Sequence, residues 1–399
     1  MSLRLNNIRT QILLALLLVS LLPLLLIGGY ALQSSTSMLR QHAIEKGDSK
    51  LSLVNEQIQM FFQGVQGDMF YLRDSNDVGL YLAALKQGDE ATRKLMLANL
   101  SNSFRQFSQN RHIYDQVRLI NNDGMEIVRI SRNGDTAEII PEDKLLNKKS
   151  RYFVTESLKQ PDGGVYISPL DLKEKSPGVL EDPPRPSIRY GTSLFDTDKK
   201  QQGIILLNTL GTDVMELVKN AQSASQTLLF VSPEGFYFYH PDATKAWGGP
   251  TDLKTGANLF TDYPELKDRL GDGSKPSEFQ LGERFISTFP VKLNNGQHTI
   301  GTLISIADNA VVFAPVWSAF WKYLGMGALI LLLSGLVAVR LSLHITRPLD
   351  ELTEVVERLS LGETDTPVNV PAYDKTQALS AAVERLRKSL NILTRRISK

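Results

Sequence analysis

An arginine in the middle of an apolar strand is the clearest sign of site chemistry in this sequence. Arg189 stands in the segment Ser187-Ile-Arg-Tyr190, which reads as a β-strand. An unpaired guanidinium buried there would be costly, so Arg189 needs a carboxylate partner. The planar guanidinium binds a carboxylate through two parallel hydrogen bonds, and that carboxylate can belong to the protein or to a ligand. The protein's own candidates are Asp171, Glu174 and Glu181.

A second arginine favours an acidic ligand. Arg151 and Arg189 flank a group of tyrosines and the segment 173–186, which contains four of the chain's eighteen prolines. We expect this segment to form a long irregular loop over a sheet. The arrangement predicts a small ligand that carries a carboxylate, and an internal salt bridge is the competing interpretation.

Catalytic and metal chemistry find no support in the composition. The chain has no cysteine, which excludes thiol catalysis, disulfides and cysteine-based zinc sites. Its five histidines lack metal-ligand spacing, and neither a phosphate-binding Gly-x-x-x-x-Gly-Lys loop nor a Gly-x-Ser-x-Gly elbow occurs. The net charge of +1 provides no strong field for nucleic acid. We therefore predict that the protein is not an enzyme and that it uses no cofactor or metal.

Two uncharged apolar runs are of about membrane-spanning length. They cover residues 12–32 and 323–339, and aromatic residues from Trp317 onward extend the second span to 317–340. The arginines that flank these runs are Arg4, Arg9, Arg340 and Arg347. The positive-inside rule then predicts that both termini are cytoplasmic and that residues 33–316 lie outside. A cleaved signal peptide is the competing interpretation of the first run.

A helical pattern follows the first span. Residues 33–110 are nearly free of proline and carry an apolar seam at three- and four-residue spacing, which predicts long helices with one apolar face. The seam residues are Leu51, Val54, Ile58, Phe61 and Val65. This seam can pack on its own domain or on the same seam of a second chain.

The period then changes from helical to alternating. We predict short helices at 149–158 and 211–220 among antiparallel strands, which divides the region into a first module, residues 111–210, and a second module, residues 211–316. The predicted strands cover residues 116–120, 126–130, 165–168, 187–190, 203–208, 227–231, 235–240, 284–289 and 299–304. The fold class is therefore α+β, with two sheet modules on long helices.

Three stretches in this order resemble a double Cache sensor domain over residues 34–310. They are Ser150-Arg-Tyr-Phe-Val-Thr-Glu-Ser157, Gly164-Val-Tyr-Ile-Ser-Pro-Leu-Asp171 and Pro186-Ser-Ile-Arg-Tyr-Gly-Thr-Ser193. The resemblance implies an extracytoplasmic, PAS-like sensor whose membrane-distal module binds a small molecule between its sheet and the long loop. The residues that it places near the ligand are Arg151, Tyr152, Tyr166, Ser168, Asp171, Arg189, Tyr190 and Asn208. The chain departs from the Arg-x-Trp-Tyr pattern of amino-acid-binding members, because Ser150, Arg151, Tyr152 and Phe153 stand there.

The residues after the second span repeat with a 3.5-residue period, the seam of a coiled coil. The first seam contains Ile345, Leu349, Leu352, Val356 and Leu359, and the second contains Leu379, Val383, Leu386, Leu390, Leu393 and Ile397. Gly362 suits a left-handed cap after the first helix. With Arg-Pro-Leu-Asp-Glu-Leu at 347–352, this pattern resembles a HAMP domain over residues 341–395. It departs from the family at Asp374-Lys375-Thr376-Gln377, where Asp-Glu-x-Gly is usual.

The HAMP resemblance implies a parallel four-helix bundle made by two chains. Its signal-transducing positions correspond to Pro348, Leu349, Leu352, Gly362, Val368, Val370 and Leu386. The predicted order is a cytoplasmic N-terminus (1–11), a span (12–32), long helices (33–110), two modules (111–210 and 211–316), a second span (317–340), HAMP (341–395) and a tail (396–399).

Together these features predict a homodimeric sensor in a bacterial inner membrane. It would bind a small extracytoplasmic ligand and pass a conformational change through HAMP to a cytoplasmic signalling protein, such as a kinase or cyclase, supplied in trans. The alternatives are the sensory part of a longer histidine kinase or chemoreceptor, a membrane-anchored periplasmic hydrolase, and a scaffold that binds nothing.

Overall fold

The computed structural model describes residues 8–176, 178–270, 275–293, 298–363, 365, 367–368 and 375–397. The chain divides into two compact units. One comprises residues 40–312, and the other combines the segments before residue 40 and after residue 312. Helices and antiparallel sheets are both present, which confirms the α+β class.

Three helices lead into the first unit, and the junctions between them have capping interactions. They are α1 (Ile8–Arg73), α2 (Asn76–Gln87) and α3 (Glu90–Asn110). The Ser75 hydroxyl accepts a hydrogen bond from the Val78 amide, and the Asp89 carboxylate accepts from the first amides of α3. Between these two caps, Gly88 adopts φ 76° and ends α2.

The apolar seam of α1 packs on its own domain. Four of its predicted members are at most 1% exposed: Leu51, Val54, Ile58 and Val65. Phe61 is only partly buried, because the helical period brings Phe62 into the seam instead. The ring of Phe62 stacks on Tyr190 of the first sheet with centroids 5.9 Å apart. The same core continues to Phe230 and Leu303 of the second sheet, so one helix stripe supports both modules.

The first module is built on a seven-stranded antiparallel sheet. Its strands are β1 (Tyr114–Asn121), β2 (Glu126–Asn133), β3 (Thr136–Ile139), β4 (Tyr166–Ile167), β5 (Asp171–Leu172), β8 (Pro186–Phe195) and β9 (Gln201–Leu210). The order is β3-β2-β1-β9-β8-β4, with β5 also paired to β8. The β1–β2 hairpin turns at Gly124, whose φ is 79°. Helix α4 (Tyr152–Leu158) packs on β8 and β9 and begins three residues after the predicted start.

The prediction of an irregular loop at residues 173–186 is wrong in part. Strands β6 (Glu174–Ser176) and β7 (Val179–Leu180) form a small hairpin there, and Gly178 supplies a φ of 76° in its turn. Salt bridges tie both ends of the segment to the buried carboxylate of Asp115. Lys173 Nζ lies 2.6 Å and Arg185 Nη1 lies 3.1 Å from it. Charge pairing therefore orders a segment whose prolines suggested irregular structure.

The second module is a five-stranded antiparallel sheet. It contains β10 (Thr227–Val231), β11 (Tyr237–Tyr239), β12 (Ser277–Leu281), β13 (Arg284–Leu293) and β14 (His298–Asp308), in the order β11-β10-β14-β13-β12. Helix α5 (Gly211–Asn220) connects the two sheets, and the short helices α6 (Leu259–Asp262) and α7 (Leu266–Arg269) precede β12. The sequence pattern did not predict β12, an edge strand with no fully buried residue.

The second unit contains apolar helices. Among the described residues, α1 and α8 (Asn309–Leu341) are long and apolar enough to cross a membrane. Ser20 Oγ and Ser334 Oγ are 3.3 Å apart, and the Leu24 side chain fills the space beside Gly327. A π-helical turn, Ser342–Thr346, follows α8 and leads into α9 (Arg347–Ser360).

Helix α9 packs on α10 (Lys375–Ile397) through part of the predicted seam. Leu352, Leu359 and Val383 are buried together, and Val368 packs against them. Pro348 is also buried, whereas Leu349 and Leu386 are 38% and 54% exposed. Gly362 has φ 95°, the left-handed conformation that the capping pattern predicts. Val370, another predicted signalling position, lies outside the described residues.

Candidate functional site

A cleft of about 800 Å³ opens between the two modules of the first unit. The first module contributes the start of α4, strand β5 and the β6–β7 hairpin. The second module contributes the β10–β11 turn, the loop at residues 249–252 and the start of β14. The charged and titratable residues that line the cleft are Arg151, Tyr152, Asp171, Glu174, Arg189, Glu234, Asp252 and His298.

Arg189 has an internal carboxylate partner. Its side chain is 4% exposed, and Nη1 lies 2.7 Å from Asp171 Oδ1 and 3.3 Å from the Tyr152 hydroxyl. That hydroxyl donates a 2.6 Å hydrogen bond to Asp171 Oδ2. Burial alone would lower the pKa of Arg189, but the Asp171 carboxylate raises it above its ordinary value. Of the carboxylates that the sequence offered, Asp171 is therefore the partner.

The ring of Phe153 contacts three arginines of the first module. Its ring lies 4.8 Å from the guanidinium carbon of Arg189, 5.4 Å from that of Arg118 and 5.5 Å from that of Arg151. Such arginine–aromatic contacts are stabilising, and more so away from water. Arg151 in turn forms a 2.7 Å salt bridge with Glu174. In the sequence, Phe153 is visible only as a departure from a family motif, and no local pattern predicts these contacts.

A second buried arginine lies deeper in the sheet. Arg118 Nη2 donates a 2.6 Å hydrogen bond to Asn208 Oδ1, and Nη1 lies 3.6 Å from the fully buried carboxylate of Glu126. Burial lowers the pKa of Arg118 to about 10, so it remains charged at neutral pH. Sequence reasoning missed Arg118, although it is a mid-strand arginine like Arg189. The side chain of Asn208 is therefore engaged inside the module.

The structure separates the eight predicted ligand-binding residues into two groups. Arg151, Tyr152, Asp171 and Arg189 line the cleft, whereas Tyr166, Ser168, Tyr190 and Asn208 do not. The prediction for Tyr190 ignored strand geometry, because consecutive strand residues face opposite sides of a sheet. Arg189 faces the cleft and Tyr190 faces α1. Ser168 is buried, and its hydroxyl accepts a 2.9 Å hydrogen bond from the Arg189 amide.

The second module supplies cleft residues that the sequence pattern did not predict. Burial and the nearby Asp171 charge raise the pKa of Asp252 to about 6. Burial lowers the pKa of His298, which keeps its imidazole neutral at pH 7. The rings of Phe236 and Phe238 add apolar surface. These residues lie in short loops and strand ends, and only the packing of the modules brings them to the first sheet.

The part of the chain that the structure describes contains no set of side chains that could bind a metal ion. No group of three or more histidine and carboxylate side chains there has the arrangement that could hold a metal ion. The cleft can therefore offer organic ligands ion pairs, hydrogen bonds and apolar contacts.

Replacement of Asp252 should alter stability in a pH-dependent way. The pKa of Asp252 in the folded protein, about 6, lies above the ordinary value of 3.8, so the folded state retains its proton to a higher pH than the unfolded chain. The stability that this proton contributes is present below pH 4 and is lost as the pH rises through 6. We expect Asp252→Asn to raise the melting temperature at pH 7.5 by a few degrees and to change it little at pH 3.5.

Circular dichroism melts of the purified chain at the two pH values would measure this effect. Asp198→Asn is the matched control, because Asp198 is exposed and its ion pair is with exposed Lys86. An equal shift for Asp252→Asn at both pH values would contradict the raised pKa.

The similarity to known proteins extends over most of the first unit. Residues 82–288 match the family of bacterial histidine kinase sensor domains. The extracellular domain of the histidine kinase designated vpHK1S-Z8 has 20% sequence identity and a TM-score of 0.55, and the alignment covers 71% of this chain and 96% of that one. A domain of a sensory box/GGDEF family protein from Vibrio parahaemolyticus has 19% identity and a TM-score of 0.55, with 69% and 99% covered.

No curated protein matches the chain. At these identities the two solved structures establish a shared fold, while the family match identifies the domain. The expectation of an α+β sensor domain of the histidine kinase kind is thereby confirmed, and domains of this kind are extracytoplasmic. Since the match spans more than half of the sequence, the chain belongs to the bacterial histidine kinase sensor-domain family.

Proposed function

We propose that this protein is a transmembrane sensor that binds a small extracytoplasmic molecule in the cleft and signals to a cytoplasmic protein. The main support for this proposal is that, along the chain, a sensor-family domain lies between two helices that are long and apolar enough to span a membrane. Helix α1 continues without a break from its apolar part to Arg73, and α8 begins at the residue after β14. In such an arrangement, a change in the domain is passed directly to rigid helices.

The properties of the cleft support a small-molecule ligand. Its volume falls in the range of about 300–1,000 Å³ that is usual for such sites. Apolar surface from Phe236 and Phe238 faces a few charged groups, which is also usual. The cleft spans both modules, so a bound molecule would favour one arrangement of the modules over another. Only this difference in affinity between arrangements can produce a signal.

Two internal salt bridges remove the reason to expect a ligand that carries a carboxylate. Arg189 and Arg151, the two arginines on which that expectation rested, have Asp171 and Glu174 as partners, each at 2.7 Å. A ligand carboxylate would have to displace one of these internal carboxylates. We therefore retain a small-molecule ligand and withdraw its acidic character.

A blocked cleft should lose ligand binding. Thr251 is exposed and lines the cleft, so Thr251→Trp should fill part of it without disturbing the core. We expect at least one compound of a metabolite library to raise the melting temperature of the full chain in detergent, and Thr251→Trp to abolish that rise. Thr261→Trp, exposed and outside the cleft, is the control. Failure of every compound to stabilise the protein would refute ligand sensing.

We also propose two membrane spans, with both termini in the cytoplasm of a bacterial cell. The distribution of Arg4, Arg9, Arg340 and Arg347 supports this topology through the positive-inside rule. Residues 33–316 would then be periplasmic, and α9 and α10 cytoplasmic.

Single cysteines can test the topology, since the native chain has none. We expect an impermeant maleimide to label Asp198→Cys in intact spheroplasts and to leave Glu357→Cys unlabelled until the cells are lysed. Both positions are exposed, so accessibility within the fold does not bias the comparison. The reverse labelling pattern would refute the topology.

A HAMP-type bundle formed by two copies is the proposed output element. Within one chain, α9 and α10 bury Leu352, Leu359 and Val383. Five other seam residues are left substantially exposed: Leu349, Val356, Leu379, Leu386 and Leu393. A lone pair of helices would keep these apolar side chains in water, whereas a second copy would bury them at a four-helix axis. The motion of such a bundle would reach a cytoplasmic signalling protein such as a kinase or cyclase.

Cross-linking can test this bundle. We expect Leu349→Cys and Leu386→Cys to form disulfides between chains at least tenfold faster than Glu357→Cys in oxidised membranes. The reason is that seam residues meet their counterparts across the axis, while Glu357 faces outward. Equal rates at the three positions would argue against a parallel bundle.

A further inference from the structure

The charges that line the cleft are unbalanced. Two arginines and four carboxylates face it, and the imidazole of His298 is neutral. Arg189 and Arg151 are each paired with a carboxylate of the first module. The two carboxylates left over, Glu234 and Asp252, both belong to the second module. The cleft thus has a neutralised wall and an acidic wall.

Asp252 is the more constrained of these two carboxylates. It is half-buried, and no described side chain or amide donates a hydrogen bond to its carboxylate or pairs with it. Partial removal of an unpaired carboxylate from water disfavours its ionised form. The Asp171 carboxylate across the cleft adds repulsion, which is one cause of the raised pKa of Asp252. A positive group between the two modules would remove both costs.

Most of the remaining lining of the cleft is apolar. Leu170 and Leu172 line it from the first module, and Phe236, Phe238 and Ile300 from the second. Such a surface binds hydrocarbon, and the face of an aromatic ring also attracts a cation within about 6 Å. A metal ion would make no use of this surface, and the described residues provide no metal-ligand group. The combination of an unpaired carboxylate with apolar walls suits an organic cation.

We propose that the cleft binds an organic amine whose ammonium group pairs with Asp252 and lies toward Asp171, while its hydrocarbon part packs on Phe236 and Phe238. The inference rests on the proposed function, because it takes this cleft as the sensing site. The ammonium group would neutralise Asp252 and offset its repulsion with Asp171 of the other module, whose two oxygens are already bound by Arg189 and Tyr152. Binding would therefore draw the modules together and supply the conformational signal.

The test uses the full chain in detergent and a matched set of probes at constant ionic strength. The cationic probes are n-butylamine, 1,4-diaminobutane and phenylethylamine, and the others are sodium butyrate and calcium chloride, each up to 50 mM. We expect at least one amine to raise the melting temperature in a saturable way. Butyrate and calcium should have no saturable effect.

Asp252→Asn should weaken amine binding by about tenfold to a hundredfold, the usual contribution of a charge-assisted hydrogen bond. This variant is expected to fold, because the raised pKa of Asp252 predicts that Asp252→Asn is at least as stable as the wild type at pH 7.5. Asp198→Asn is the matched control and should bind amines as the wild type does. Retention of full amine affinity by Asp252→Asn would overturn the assigned role of that residue.

The remaining outcomes separate the two proposals. Stabilisation by butyrate alone, or by calcium alone, would show that the cleft binds a different class of ligand, and the amine inference would then be wrong. The same holds if no amine acts but a neutral or acidic library compound stabilises the wild type and not Thr251→Trp. If no probe and no library compound stabilises the chain, ligand sensing itself fails.

Discussion

The packing of one face of α1 against both sheets is the interaction on which the first unit depends. The stripe that contains Leu51, Ile58 and Phe62 belongs to a core that continues from Tyr190 of the first sheet to Leu303 of the second. A two-module protein without such a common support would leave its modules free to separate, since interfaces between domains are usually small and polar. Here the shared core holds the modules close enough for their loops to form one cleft.

Electrostatics divides this cleft into a part that serves the fold and a part available for binding. Arg189, Asp171 and Tyr152 satisfy one another, so they keep a buried guanidinium at low cost. Among the residues that the structure describes, Asp252 has no such partner, and its partial burial disfavours the ionised form. Groups that reduce the stability of the folded state often lie at functional sites, because selection for stability alone would remove them. The two walls of the cleft therefore differ more in whether their charges are paired than in which residue types they contain.

Much of the fold could be predicted from hydrophobic periodicity. The bounds of α5 and β10 agree with the predicted residues 211–220 and 227–231, because both elements have strong patterns and clear ends. Strand β12 was missed because an edge strand buries little. The β6–β7 hairpin was missed because its order depends on distant charges, such as that of Asp115. The sequence near a segment does not indicate which distant charged residues will pair with it.

The candidate site could be predicted only in the first module, where a buried charge would be energetically unfavourable without a partner. Arg189 drew attention because a charge in an apolar strand requires explanation, and its partner Asp171 was among the candidates. Tyr190, which was predicted to lie near the ligand, packs against α1, and the two-residue period of strands already indicates that it faces away from Arg189. Asp252 and His298 had no comparable signal, since each stands in an ordinary polar context along the chain. Their importance arises from what lies opposite them in space.

The π-helical turn between α8 and α9 has a consequence for how helices can transmit a change. A π-turn contains more residues than an α-turn, so its conversion to α-helix changes the angular phase of everything that follows. In an α-helix each residue advances the phase by about 100°. A shift of one residue at Ser342–Thr346 would therefore turn the apolar side of α9 by roughly a quarter of a revolution. A rotation of that size requires only the exchange of a few backbone hydrogen bonds, with no change in the length of the apolar helix before it.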